Sequence, residues 1–204
     1  MVEVLKRLSV KDIITVGMFT ALMAVLSQVS IPLPVSPVPL TLSLFVVYLS
    51  ASILGLKLGL FVQAAYLLLG VVGIPVFSGL KGGFAHLFGP TGGYLLSYFV
   101  MTAMIGAFSD HISATRLCRP SKDERPITLM IAYAAVYLAS LSICYLLGSL
   151  WLSKVLDIPI VQGFIFGALP YIPLDIIKIA ACALVVVPVR RRYLSVTTVS
   201  RPDV

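Results

Sequence analysis

The stretch ALPYIPLDIIKIAACALVVVPV, residues 168 to 189, decides the fold. As a helix rising about 1.5 Å per residue it is long enough to cross about 30 Å of hydrocarbon. Yet it holds Asp175 and Lys178 in a run that is otherwise almost wholly apolar. Three positions apart, the two side chains project from one helical face and can pair. Either charge alone in hydrocarbon costs about 2.5 to 3.5 kcal/mol on insertion scales, so the pair is expected to face inward. Pro170 and Pro173 suit the first helical turn, which puts Asp175 within about one to two turns of the helix start.

Such a pair has two readings. It can be a buried ion pair that only fixes helix packing, or a site where a polar guest meets the charges. Apolar packing of similar volume often stabilises as well as a buried pair, so the second reading accounts for more.

The rest of the chain is of the same kind. Of 204 residues, 59% are hydrophobic and only 11% charged, and the mean hydropathy is +1.06, well outside the range of soluble domains. The pattern predicts an all-α integral membrane protein: a six-helix transmembrane bundle forming one membrane domain over residues 1–204. The spans are expected at 13 to 29, 41 to 56, 59 to 76, 93 to 113, 127 to 150 and 164 to 189, with a break at Lys57 between the second and third. The first run follows a basic start but no small-x-small cleavage site, so it reads as a retained helix.

Basic residues orient the bundle, because cytoplasmic loops near spans collect Lys and Arg. One side holds Lys6, Arg7, Lys11, Lys57, Arg116, Arg119, Lys122, Arg125, Arg190, Arg191, Arg192 and Arg201; the other holds only Lys81 and Lys154. Both termini are therefore expected in the cytoplasm. The formal charge of +7 sets topology and gives no reason to expect nucleic acid, since no aromatic interleaving or binding motif accompanies it.

The outer side is the unusual one. Its first loop carries Pro32, Pro34, Pro37 and Pro39, with Pro75 following, and its second carries Gly79, Gly82, Gly83, Gly89, Gly92 and Gly93. Proline stiffens backbone toward extended forms and glycine admits close approach. A shaped lid over a cavity and a pair of ordinary connecting loops fit this composition equally. Polar candidates on this half are Gln63, Tyr66, Ser78, Lys81, His86, Thr91, Tyr94, Gln162 and Tyr171, with Thr41 closing the proline-rich loop.

Several chemistries are absent. GPTGGY, residues 89 to 94, lacks the GK[ST] ending that holds nucleotide phosphates. There is no GxSxG and no HExxH, so catalysis within the membrane has little support. Cys118, Cys144 and Cys182 have no neighbours at metal-ligand spacing, and no cofactor is expected. In helix one, Gly17 and Ala21 form a small-xxx-small pair beside a second, Thr20 and Ala24. Such stripes serve a partner helix or packing within the same bundle.

Three quoted segments carry a resemblance. PVSPVPLTLSLFVVYLSASILG, GLKGGFAHLFGPTGGYLLSYF and PYIPLDIIKIAACA resemble, in order and spacing, the BioY family, the biotin-specific substrate-binding (S) component of energy-coupling factor (ECF) transporters. The resemblance covers residue 12 to about 190. It implies a non-enzymatic vitamin carrier in the prokaryotic cell membrane, crossing it several times, that binds biotin near the outer surface and topples to deliver it. It implies a transmembrane coupling subunit and two ATP-binding subunits as partners, beside membrane lipid. It places biotin contacts on Asp175 and Lys178, with Ser78, Lys81 and Tyr94 assigned by position and Tyr171 and Thr41 beside them. It places the coupling-subunit contact on Gly17 and Ala21, where glycine replaces the family's usual first alanine. A glutamine common after PxT is Ser43 here. The competing classes are a carrier of another vitamin or biotin precursor, a small membrane enzyme using Asp175 with Lys178 or His86, and a purely structural subunit.

Overall fold

The computed structural model describes residues 9 to 34, 36 to 113 and 126 to 199. Cys118 and the basic residues of the 114–125 segment lie outside the described residues. Helix α1 spans Val10–Gln28 and leads into a two-stranded antiparallel hairpin, β1 (Ser30–Leu33) and β2 (Ser36–Thr41). Helices α2 (Ser43–Val71), α3 (Gly92–Ile112), α4 (Pro126–Leu156), α5 (Ile160–Gly167) and α6 (Ile172–Val199) follow, with 3-10 turns at Phe84–Phe88 and Leu169–Tyr171. Among the described residues, five segments are long and apolar enough to cross a membrane: Val10–Gln28, Ser43–Val71, Gly92–Ile112, Ile127–Leu156 and Ile160–Arg190.

The expected spans 41 to 56 and 59 to 76 correspond to one shorter element, α2 (Ser43–Val71), interrupted at Gly55 by φ 81° and ψ −172°. Gln63 Nε2 donates to Ser50 Oγ at 3.4 Å, and a Cβ on Gly59 would stand 3.2 Å from the Cα of Ala51. In a straight helix Ser50 and Gln63 would be about 20 Å apart. The element therefore folds back at Gly55 into two arms, 43–54 and 56–71, lying side by side. The reversal sits two residues before the expected position at Lys57, because a left-handed φ is open to glycine and costly for lysine.

The reversal leaves backbone groups without helical partners, and side chains from other helices satisfy them. Arg190 Nη1 donates to the carbonyls of Ser52 at 2.7 Å and Ile53 at 2.9 Å. Asp110 Oδ2 accepts from the Leu56 N–H at 2.9 Å. Arg190 is only 3% exposed, which corrects its reading as one more loop cation. A guanidinium carries five donors in a rigid fork and suits a cluster of acceptors.

The proline-rich segment, expected as an extended loop, is the β1–β2 hairpin. Proline is tolerated there because a two-stranded ribbon is all edge. The glycines of GPTGGY serve close approach: a Cβ on Gly92 would overlap the Leu87 carbonyl and one on Gly93 the Trp151 side chain. A Cβ on Gly148 would enter the Tyr94 ring, so α3 and α4 meet with backbone nearly touching side chain.

The expected final span, 164 to 189, divides into α5, the turn at Leu169–Tyr171 and α6. The small pairs of α1 also divide. Gly17 and Ala21 are exposed, while Thr20 is buried and Ala24 partly so.

Candidate functional site

Asp175 lies in the first turn of α6, where the positive end of the helix dipole favours a carboxylate. Its Oδ1 accepts from Lys178 Nζ at 2.7 Å, and its Oδ2 accepts from the Tyr145 hydroxyl at 2.6 Å. Lys178 Nζ also donates to the Thr41 carbonyl at the end of β2, at 2.7 Å. The two charged residues are 3% and 7% exposed. Desolvated charges of this kind persist only when paired and hydrogen-bonded, and both conditions hold here.

This network forms one wall of a cavity of about 60 Å³. Val38, Pro39, Leu40 and Thr41 of the hairpin line it, with Tyr94 and Tyr98 of α3, Cys144 and Tyr145 of α4, and Tyr171. A second cavity of about 40 Å³ shares Val38, Pro39, Thr41, Tyr94 and Tyr98, and continues to Phe77, Ser78, His86 and Thr91. The two cavities thus lie on either side of a shared wall of Val38, Pro39, Thr41, Tyr94 and Tyr98, and their remaining linings differ chemically.

The roof is tied at several points. The Tyr171 hydroxyl contacts Ser36 Oγ at 2.6 Å and the Val38 carbonyl, anchoring the hairpin to the base of α6. Gln28, the last residue of α1, donates from Nε2 to the Phe77 carbonyl at 3.1 Å and accepts the Leu80 N–H at 2.9 Å. The Tyr94 hydroxyl donates to the Gly167 carbonyl at 2.7 Å. A Cβ on Gly167 would displace that hydroxyl.

The candidate residues thus separate. Asp175, Lys178, Thr41, Tyr94 and Tyr171 share the first cavity, and Ser78 joins through the second. Lys81 is exposed and lines neither cavity; its backbone instead pairs with Phe77. Phe84 is 61% exposed and packs edge-on against Phe88. Gln63 and Tyr66 lie in the core, bonded to Ser50 and to the Val76 carbonyl, and Gln162 is exposed.

Tyr145 and Tyr98 escaped the sequence reading, while Ser43 was noted only as standing where the family commonly has glutamine. The Tyr98 hydroxyl pairs with Ser43 Oγ at 3.0 Å on the wall of the second cavity. A signal for Tyr145 existed: α4 carries Tyr133, Tyr137 and Tyr145 at spacings of one and two helical repeats of four, which places their hydroxyls along one face. Among the described residues no group of three or more His, Cys, Asp or Glu side chains could hold a metal.

Apolar helices around a roofed cleft, with one desolvated ion pair in its wall, define a membrane-embedded binder of small molecules. The BioY family model matches residues 2–195, and the chain belongs to the BioY family. It is 35% identical over 175 residues to a probable biotin transporter BioY of Pyrococcus horikoshii, covering 86% of this chain and 93% of that one. It is 36% identical over 181 residues to the biotin transporter BioY of Thermotoga maritima, covering 89% and 96%. Its fold matches the crystal structure of the S-component for biotin from an ECF-type ABC transporter with a TM-score of 0.76 and 28% identity, over 91% of this chain and 92% of that one.

Proposed function

We propose that this chain is the biotin-binding S-component of an ECF-type ABC transporter, a carrier that binds biotin in the roofed cleft and returns it unaltered. The observation that carries the reading is the Asp175 carboxylate, held by Lys178 and Tyr145 at a cavity wall. The ureido head of biotin offers two N–H donors and a carbonyl acceptor. Asp175 supplies acceptor lone pairs to the donors. Lys178 has three donors, of which Asp175 and Thr41 engage two, leaving one for the ureido carbonyl. Tyr94, Tyr98 and Tyr171 cover the rings, in the usual pattern of a mostly apolar pocket with few fixed polar groups.

The topology follows the same reading: one membrane domain over 1–204 in the prokaryotic plasma membrane, crossing it six times with both termini cytoplasmic. The reversal of α2 at Gly55 supports an even number of crossings, and the basic residues concentrated on the side of the termini support the orientation. The carrier acts with a coupling subunit and two ATP-binding subunits. The exposure of Gly17 and Ala21 supports α1 as the face that meets the coupling subunit.

Biotin titrated onto the purified carrier, with mass spectrometry of the extracted ligand, tests the reading. Saturable binding of biotin, recovered intact, is expected. Absence of binding, or recovery of a chemically altered product, overturns it. Dethiobiotin as a competitor decides between biotin and a precursor, since both carry the urea and only biotin has the thioether.

A further inference from the structure

The second cavity raises a question that the ion pair leaves open, namely where the anionic end of an acid ligand goes. The Asp175–Lys178 pair, closed at 2.7 Å, carries no net charge and so offers an anion no net attraction. The adjoining second cavity is lined by His86, on the turn Phe84–Phe88, together with Ser78 and Thr91. His86 Nε2 lies 3.1 Å from Thr91 Oγ1. Its ring stacks on Phe77 with centroids 5.1 Å apart and planes 20° from parallel.

We propose that His86, held by Thr91 and Phe77, reads the carboxylate of the bound acid and takes up a proton as the ligand arrives, so that binding is proton-linked. The proposal rests on the biotin reading above and assigns its second end. A threonine hydroxyl can donate to a neutral imidazole or accept from a protonated one, so the Thr91 contact survives the change of state. The face of Phe77 favours the cationic ring. In the free protein, burial and then the positive charge of Lys81 hold His86 below its ordinary value. A carboxylate beside the ring reverses that balance. The titratable groups around His86 are Lys81 of the preceding loop, Tyr66 of α2, and Tyr94 and Tyr98 of α3. Asp175 belongs to the other cavity.

The sign follows from linkage. The ligand raises the histidine's pKa, so the added affinity is full below the free-state value and is lost as pH rises through the bound-state value. The ligand's own carboxyl stays ionised above about pH 5 and contributes no slope of its own.

Biotin and the uncharged biotinamide, titrated onto the purified full-length chain from about pH 5.5 to about pH 8.5, provide the test. Biotin is expected to bind at least about fivefold more weakly at the alkaline end, within the roughly tenfold per pH unit that one linked proton allows. Biotinamide is expected to show no slope. His86→Gln, which keeps a partner for Thr91, should remove the slope for biotin, and Lys81→Gln should leave it. A flat biotin profile in the native chain overturns the proposal, as does a slope that survives His86→Gln or disappears with Lys81→Gln. If His86→Gln fails to fold, Thr91→Val serves in its place, with a reduced slope expected and an unchanged one overturning the proposal. Loss of biotin binding at every pH in the native chain overturns the biotin reading itself, which a flat profile would not.

Discussion

The Arg190 guanidinium lies 2.9 Å from the Asp110 carboxylate, and the two together hold both sides of the reversal at Gly55. Arg190 also reaches the Ser109 carbonyl at 3.3 Å and Ser113 Oγ at 2.8 Å, so one side chain ties α2, α3 and α6 at a single point. Arg190→Ala is expected to lower stability by on the order of 3 kcal/mol, because it leaves several buried carbonyls without a donor. Arg190→Lys should recover little, since a point charge cannot replace a fork of donors. Thermal unfolding in detergent measures both, and a melting temperature unchanged in Arg190→Ala would dismiss this role.

Gly55→Ala probes the same junction from the backbone. The backbone of Gly55, at positive φ with extended ψ, is essentially open to glycine alone and costs another residue about 1 to 3 kcal/mol, and the added Cβ would also displace the Asp110 carboxylate. A clear drop in melting temperature is expected, larger than that of an alanine at exposed Gly17, whose Cβ meets nothing within 4 Å.

At the binding end, Asp175→Asn and Lys178→Ala should each weaken biotin at least about tenfold, because each leaves a buried partner group unpaired at a cost of about 1 to 3 kcal/mol. Isothermal titration decides it. Unchanged curves for both variants would remove the ion pair from the site.

Tyr145→Phe is the finer probe. It removes one hydroxyl donor from Asp175 and keeps the ring, so a loss of about three- to tenfold in affinity is expected with the fold intact. A loss as great as that of Asp175→Asn would mean that Tyr145 meets the ligand itself.

On α1, tryptophan at Gly17 or Ala21 should spare biotin binding and abolish co-purification with the coupling subunit, since both positions point away from the core. Loss of ligand binding in these variants would instead place the stripe in internal packing.

Much of this was legible in the chain because membrane helices announce themselves locally. Apolar runs of sufficient length marked the spans, and two charges three residues apart in oil marked Asp175 and Lys178 as a facing pair. The proline-rich and glycine-rich segments, whose composition suited a lid and plain loops equally well, contribute lining to the two cavities. Lys81, a lone cation on the outer side, was named as a ligand contact by position, and it lines neither of the two cavities. Its backbone, paired with Phe77, turns it outward.

By itself, the sequence determined what depends on neighbours along the chain: which segments suit a membrane, the face shared by Asp175 and Lys178, and the small-residue stripe of α1. Only the tertiary structure decided what depends on residues far apart. Tyr145 meets Asp175 across 30 positions, and Lys178 meets the Thr41 carbonyl across 137. Arg190 caps a helix end 138 residues upstream. Periodicity fixes the face a side chain occupies, whereas its partner is set by how helices cross and where one glycine lets the backbone reverse.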